Sequence, residues 1–456
     1  MRITNQMTTN RLLLNINRNA TAADRFMMQL TTGKRIHNPS DDPIIASRAL
    51  RFRTNVSETE QFQRNAGQAS SWMEVTESAM SNMQSIKRTI NTRLVQGATA
   101  TYTIAQRQTI AAEIDMFFRQ MNSEMNTTFA GRYVFSGFRT DRPPVITNDT
   151  MFTGPATLTH GVNFQDIETL DQMFWRNALG DWEMFPAVGD GFQVNKIKLP
   201  YNRTDNRHMS TPQFSNAATG APIFPWVVEA PAGTNPFWHA EATNNIVFIP
   251  ETGEVIIPTA RMGEFEDGVN VNYFIEGVYE GELNPFVFFH TVYAGDTFTV
   301  GDQELRFELG TNVRIAVNSQ ANDAYPWQFF ADLISLQNFV NSIEIPPNAT
   351  EQEAIEYEQF FREALYQKFT NLISSMERHI QHSSTEYTTM GSRMNRVELI
   401  SNRLMENRDT FTELMSENEN VDFIEVMMRF NAAEAIFQAA MQVGARIAQV
   451  SIVNFL

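Results

Sequence analysis

The sequence predicts an α+β protein: long coiled-coil-like helical arms from both termini packed together, with a central β-rich insert. Three observations lead there. Of the 18 prolines, only Pro39 and Pro43 precede Pro143, and none follows Pro347. An interior proline removes a helix hydrogen bond and clashes with the preceding turn, so the two ends suit long helices and the middle does not. Apolar residues near both ends recur at alternating steps of three and four, the spacing of a helix that supercoils with a partner. Charge is partitioned as well: residues 1–144 hold 18 Lys+Arg and 11 Asp+Glu, residues 145–345 hold 8 and 25, and residues 346–456 hold 9 and 16.

The first helix carries the seam Leu13, Ile16, Ala20, Ala23, Met27 and Leu30. Asn38-Pro39-Ser40-Asp41-Asp42-Pro43 breaks it, with Asp42 as N-cap and Pro43 at the first position of a second helix. That helix continues through Ala79, Met83, Ile86, Ile90 and Leu94 to an interruption at Gly97. A third, with Ile110, Ile114, Phe117 and Met121, is expected to end near Gly131. In the middle, Ile246–Ile249 and Val255–Ile257 flank the turn Pro250-Glu251-Thr252-Gly253, and Phe298–Phe307 predicts a second hairpin. Pro326–Ser342 reads as a helix, and Pro346-Pro347 as a linker. The C-terminal arm shows Tyr366, Phe369, Ile373, Met376 and Ile380, then Val397, Ile400, Leu404, Phe411 and Leu414. A last helix starts at Asp422-Phe423-Ile424-Glu425, a capping-box spacing, and runs through Ile436, Ala440, Val443, Ile447 and Val450. The expected divisions are 1–40, 41–144, 145–345, 346–417 and 418–456.

Composition narrows the function. A length of 456 residues exceeds one ordinary domain. The absence of cysteine excludes disulfides, thiolate metal sites and cysteine nucleophiles. Neither a secretory signal peptide nor a membrane span is expected. A net charge of −17 disfavours nucleic acid and anionic membrane as partners. His379 and His382 are three apart on a predicted helix, but without a neighbouring acidic ligand motif a packed or solvated pair accounts for them better than a metal. No H-E-x-x-H occurs. Asp41-Asp42 lacks the alternating oxygens of a calcium loop and reads as helix capping. Gly131 to Gly137 has neither P-loop nor dinucleotide spacing. Five of six tryptophans (Trp175, Trp182, Trp226, Trp238, Trp327) fall in the middle, where core packing explains them more simply than sugar stacking. Arg2, Arg11, Arg18 and Arg25 recur about every seven residues, which suits pairing with an acidic helix. No catalytic, cofactor or metal site is expected, and the chain does not read as an enzyme.

Two motifs resemble a known family. Leu30-Thr31-Thr32-Gly33-Lys34-Arg35-Ile36 followed by Asn38-Pro39-Ser40-Asp41-Asp42-Pro43 is similar to the S-T-G-x-R-I and N-x-x-D-D-P-A segments of bacterial flagellins and their hook-associated relatives, with Thr31 for the serine and Ile44 for the small residue. Gly131-Arg132-Tyr133-Val134-Phe135-Ser136-Gly137 resembles the G-R-Y-x-F-[SA]-G segment of the branch that joins hook to filament. Gly391 to Arg396, Val421 to Glu425 and Ser451 to Leu456 resemble that branch's C-terminal motifs. The resemblance implies a structural subunit exported through the flagellar type III apparatus to the extracellular flagellum, as adaptor between hook and filament. It implies self-association in a ring or tube, contact with a neighbouring hook-associated protein and flagellin, and an export chaperone at the C-terminal helix. In the family the terminal helices form the inner tube, so Leu13–Leu30 and Ile436–Val450 are expected there, with residues 145–345 outward and dispensable for the joint. Filament flagellin, and a flagellar scaffold displaying a glycan-binding or enzymatic module, are the alternatives.

Overall fold

The computed structural model describes residues 5–141, 143–145, 155–170, 173–176, 182–185, 193–203, 208–223, 227–231, 233–276, 290–293, 296–298, 303–343 and 350–453. The helices are α1 (Asn5–Thr32), α2 (Pro43–Gly97), α3 (Ile104–Met125), α4 (Pro236–Thr243), α5 (Ala321–Ala324), α6 (Trp327–Asn341), α7 (Glu351–Glu419) and α8 (Phe423–Val453). The strands are β1 (Thr128–Phe129), β2 (Arg132–Tyr133), β3 (Pro155–Val162), β4 (Glu168–Leu170), β5 (Met173–Arg176), β6 (Trp182–Phe185), β7 (Val194–Lys198) and β8 (Gln213–Asn216), then β9 (Val227–Glu229), β10 (Ile246–Ile249), β11 (Glu254–Ile257), β12 (Val269–Glu276), β13 (His290–Tyr293), β14 (Asp296–Phe298), β15 (Arg306–Gly310) and β16 (Val313–Ala316). Long helices packed together at the two chain ends, with a β region between them in the sequence, are thus the observed architecture.

Two compact units share these elements. The first holds residues 1–67, 308–313 and 397–456; the second holds 68–307 and 314–396. In the first, α1 and α8 run antiparallel: Leu12 and Ile16 approach Gly444 at one level, and the Val421 N–H donates to the Gly33 carbonyl at the other (3.1 Å).

In the second unit, α2, α3 and α7 contribute Met73, Met80, Met83, Leu94, Ile114, Phe118, Met121, Phe369 and Met376 to a sealed core. Helix α6 closes it, with Phe329 and Phe330 against Phe118 at ring centroids 6.4 and 5.5 Å. One five-stranded sheet has the order β4-β7-β11-β10-β9, and another β14-β13-β3-β12-β8; the pair β9-β10 is parallel. At the α2–α3 turn, the buried Arg107 guanidinium donates to the carbonyls of Gly97 (2.9 Å), Thr99 (2.9 Å) and Arg362 (2.6 Å), so a cation satisfies the end of α2 and its turn and reaches into α7.

Two expectations meet a different local structure. Helix α3 ends at Met125, not near Gly131, because residues 128–133 form a hairpin whose central Ala130 (φ 50) and Gly131 (φ 77) are left-handed, as a type I′ turn requires. Of the expected Phe298–Phe307 hairpin, residues 299–302 lie outside the described ones; among those described, β14 pairs with β13, while β15 turns back on β16 through Asn312 at φ 64. Helix α7 is one continuous helix of 69 residues. Helix α6 of the insert packs in the core with α3 and α7. The hairpin β10-β11 forms as expected, with Val247 opposite Ile256. The linker Pro346-Pro347 and the ending Asn454-Phe455-Leu456 lie outside the described residues.

Candidate functional site

Nearest the termini, the α1–α8 pair is held by one stripe per helix. On α1 it is Leu12, Ile16, Asn19, Ala23, Phe26 and Leu30; on α8 it is Val426, Phe430, Ala433, Phe437, Ala440 and Gly444. Both step by four and three, the heptad rhythm. Ile16, Ala23, Leu30 and Ala440 from the sequence-derived seam lie on it, and Ala20 sits half-buried beside it. Leu13, Met27, Ile436 and Val443 lie one residue off and are exposed. Ile447 and Val450 belong to α8, and their side chains lie outside the described ones. A second set of large apolar groups therefore faces outward: Leu13, Leu14, Met27 and Met28 on α1, and Phe423, Ile424, Met427, Met428, Ile436, Met441 and Val443 on α8. Exposed large apolar groups of this number on paired helices are typical of interaction surfaces.

The connector after α1 shows why its motif residues are what they are. Gly33, at φ 68, closes α1 by donating its N–H to the Gln29 carbonyl (2.8 Å), an αL cap that a residue with a Cβ adopts only under strain. The Gln29 side-chain amide donates to the Arg35 carbonyl (2.7 Å), and the Arg35 N–H to the Glu419 carbonyl (2.7 Å). Asn38 and His37 backbone N–H groups donate to Asp41 Oδ2 and hold its carboxyl below the usual range. Asp42 Oδ1 accepts from the N–H groups of Ile44 (3.0 Å) and Ile45 (3.1 Å), and Pro43 occupies the first position of α2, where no donor is missed. Ile44 itself is exposed, so its departure from the family's small residue meets solvent rather than a neighbour.

Glu419 locks this connector to the α7–α8 turn. Its nearly sealed carboxylate accepts two bonds from Arg53 (2.7 and 2.8 Å) and pairs with Lys34 (3.2 Å), whose ammonium also reaches Asn420 Oδ1 (2.9 Å). The Arg53 hydrogen bonds lower the Glu419 pKa more than its partial burial raises it. Asp422 then caps α8, accepting from Ile424 (2.9 Å) and Glu425 (3.2 Å) N–H groups.

The second motif is also structural. Gly131, Arg132 and Tyr133 build the β1-β2 hairpin, Phe135 is buried, and its carbonyl accepts from Ala321 N–H (3.1 Å). Gly137 has φ 61, and a Cβ there would overlap the Gln303 side chain, whose Oε1 accepts from Phe138 N–H (3.0 Å).

A cleft of about 910 Å³ in the second unit is lined by Asp166, Glu168, Lys198, Asp332, Arg378 and His379, among others. Its charges answer one another. Lys198 pairs with Glu168 (3.0 Å) and Asp332 (3.1 Å), and Lys196 with Glu254 (2.6 Å). Burial opposes these charges, yet the partners outweigh it: Glu254 is pulled down to about 2 and Lys198 is raised. Burial depresses the third lysine, Lys368, to about 7. Asp332 stays ionised, so the His379 Nε2–H donates to it (3.0 Å); burial keeps the imidazole neutral, lowering its pKa against the pull of Asp332. His382 instead donates to the Asp323 carbonyl (2.7 Å), so the two histidines do not converge. Among the described residues no group of three His, Asp or Glu is placed to hold a metal, and no helix is long and apolar enough to cross a membrane. Composition and spacing gave no sign of this ionic cluster, because its members come from five separate elements.

Comparison with known proteins places the motifs. The bacterial flagellin N-terminal helical region matches residues 3–140, and the bacterial flagellin C-terminal helical region matches residues 373–456. The flagellar hook-associated protein 3 of Escherichia coli (strain K12) is 27% identical over 157 residues, 34% of this chain and 50% of the relative. That of Salmonella typhimurium is 28% identical over 145 residues, 32% and 46%. A flagellin of Clostridium tyrobutyricum is 27% identical over 128 residues, 28% and 34%. The chain thus spans about half the length of the hook-associated relatives it matches. A hook-associated protein structure from Vibrio parahaemolyticus aligns with TM-score 0.37 at 12% identity, covering 83% of this chain and 100% of that one. The flagellar junction protein FlgL from Legionella pneumophila aligns with TM-score 0.31 at 12% identity and the same coverages. The helical regions at both ends of the chain thus match those of the bacterial flagellin family.

Proposed function

We propose that this chain is a structural subunit of the bacterial flagellum, acting as the adaptor between hook and filament and associating with copies of itself through its terminal helices. The observation that carries this reading is the doubled apolar surface of α1 and α8. One stripe joins the two helices, and the other, with Leu13, Met27, Ile436 and Val443, is left for neighbours. Residues 1–40 and 418–456 would then form the inner tube, 41–144 and 346–417 the surrounding layer, and residues 145–345 would add the outer surface. Hook-side and filament-side partners of the same family, and an export chaperone on α8 before assembly, fit the same exposed face. The hook-associated relatives favour the junction over the filament, as does the Gly131–Gly137 hairpin; the flagellin relative keeps filament subunit as the second reading.

Complementation of a strain lacking its hook-filament junction protein tests this. The intact chain should restore attached filaments, and Ile436→Asp should be exported yet leave filament protein in the medium. Attached filaments with Ile436→Asp would contradict the use of that face.

A further inference from the structure

The described methionines of this chain include both sealed and exposed members. Met73, Met80, Met83 and Met121 are sealed in the second unit, at 0% exposure. Met27, Met28, Met427 and Met428, in contrast, are 47% to 61% exposed. Two adjacent pairs on different helices come to one level of the arm. Gly33 meets Val421 where the helices turn, Met28 lies five residues before Gly33, and Met428 lies seven after Val421. At a rise of ~1.5 Å per residue both pairs sit roughly 7 to 12 Å from that turn. Met27 and Met28 on α1 and Met427 and Met428 on α8 are thus four exposed thioethers at one level of the α1–α8 pair.

Thioethers are the oxidisable members of an apolar surface. A flexible, polarisable side chain adapts to several neighbours, but its sulfoxide is polar and disrupts methionine-rich interfaces. Leucine at these positions would supply the same apolar area without that liability.

We propose that Met27, Met28, Met427 and Met428 form a redox-modifiable band, at which peroxide converts the free subunit's thioethers to sulfoxides and so blocks association through the arm. In each event the peroxide O–O bond breaks and one oxygen bonds to Sδ. Sulfur loses two electrons, and the peroxide is reduced to water. Methionine sulfoxide reductase reverses the change. The consequence for association rests on the reading of the arm as an assembly face; the selectivity of oxidation does not.

The test uses the full chain treated with hydrogen peroxide, with oxidised methionines mapped by peptide mass spectrometry and self-association followed by light scattering and sedimentation. Met27, Met28, Met427 and Met428 should oxidise at least about tenfold faster than Met73, Met80, Met83 and Met121 while the circular dichroism spectrum is unchanged. The oxidised chain should lose association and regain it after reductase treatment. A chain with Met27, Met28, Met427 and Met428 all replaced by Leu should associate with or without peroxide. Equal oxidation of both populations, normal association of the oxidised chain, or peroxide sensitivity of the Leu variant would each overturn the proposal. If untreated chain remains monomeric, the assembly reading fails and takes the blocking effect with it, whereas the oxidation order still decides whether the band is selectively modified.

Discussion

Lys87 sits on α2 with its ammonium nitrogen 4.1 Å from the Tyr325 ring centroid and 4.7 Å from that of Phe329. Its one hydrogen bond runs to the His379 carbonyl (3.4 Å), and among the described residues no carboxylate pairs with it. Burial therefore holds its pKa well below the ordinary 10.5. Below 10.5 the unfolded chain binds a proton that the folded chain refuses, so stability falls as pH drops from that value toward the depressed one, and is flat beneath it. Lys87→Met should raise stability by about 1 to 3 kcal/mol near neutral pH and remove part of that slope. Thermal unfolding of both chains between pH 7 and 10 checks it; identical slopes would show that Lys87 stays charged. Nothing in the sequence distinguishes Lys87 from a solvated helix lysine, since its surroundings come from α6 and α7. Asp42 was legible because capping is local: the acceptor and its two donors lie within three residues.

At the level of elements, helix boundaries were readable wherever a local device sets them, as with Pro43 after α1 and Asp422 before α8. The phase of the terminal seam was not. Leu12, Leu13 and Leu14 are consecutive, as are Phe26, Met27 and Met28, so a period of 3.5 fits two adjacent stripes equally well and only the partner helix selects one. Phe437→Asp places a carboxylate on the stripe between α1 and α8 and should unpair them in the monomer, reducing helicity and exposing both ends to limited proteolysis. Ile436→Asp, one residue away on the outward stripe, should leave monomer helicity unchanged. Because the joining stripes are apolar, raising salt to about 1 M, where the Debye length is ~3 Å, should leave that helicity largely intact. Loss of pairing at high salt would assign the dominant force to charge instead.

On the scale of the molecule, the α+β class and the helical ends were carried by proline distribution, period and charge, while the boundary of the insert was not. Residues 145–345 share a core with the helices on either side. Phe330 packs on Phe118, Asp332 pairs with His379, and Trp327 donates to the Gly161 carbonyl (3.2 Å). A chain lacking residues 145–345, closed by a flexible linker, would uncover Phe118, Lys87 and His379. It should lose cooperative unfolding and soluble yield, measured by calorimetry and gel filtration. A stable, cooperative deletion would return the insert to the status of a dispensable outward domain.

The central claim is positional: this chain occupies the joint between hook and filament. Isolated flagella from the native cell, labelled with gold-tagged antibody against the folded chain and viewed by electron microscopy, test it most directly. The account predicts label confined to one short zone where the filament meets the hook. Label along the whole filament would contradict it in favour of a filament subunit, and flagella free of label would remove the chain from the flagellum altogether.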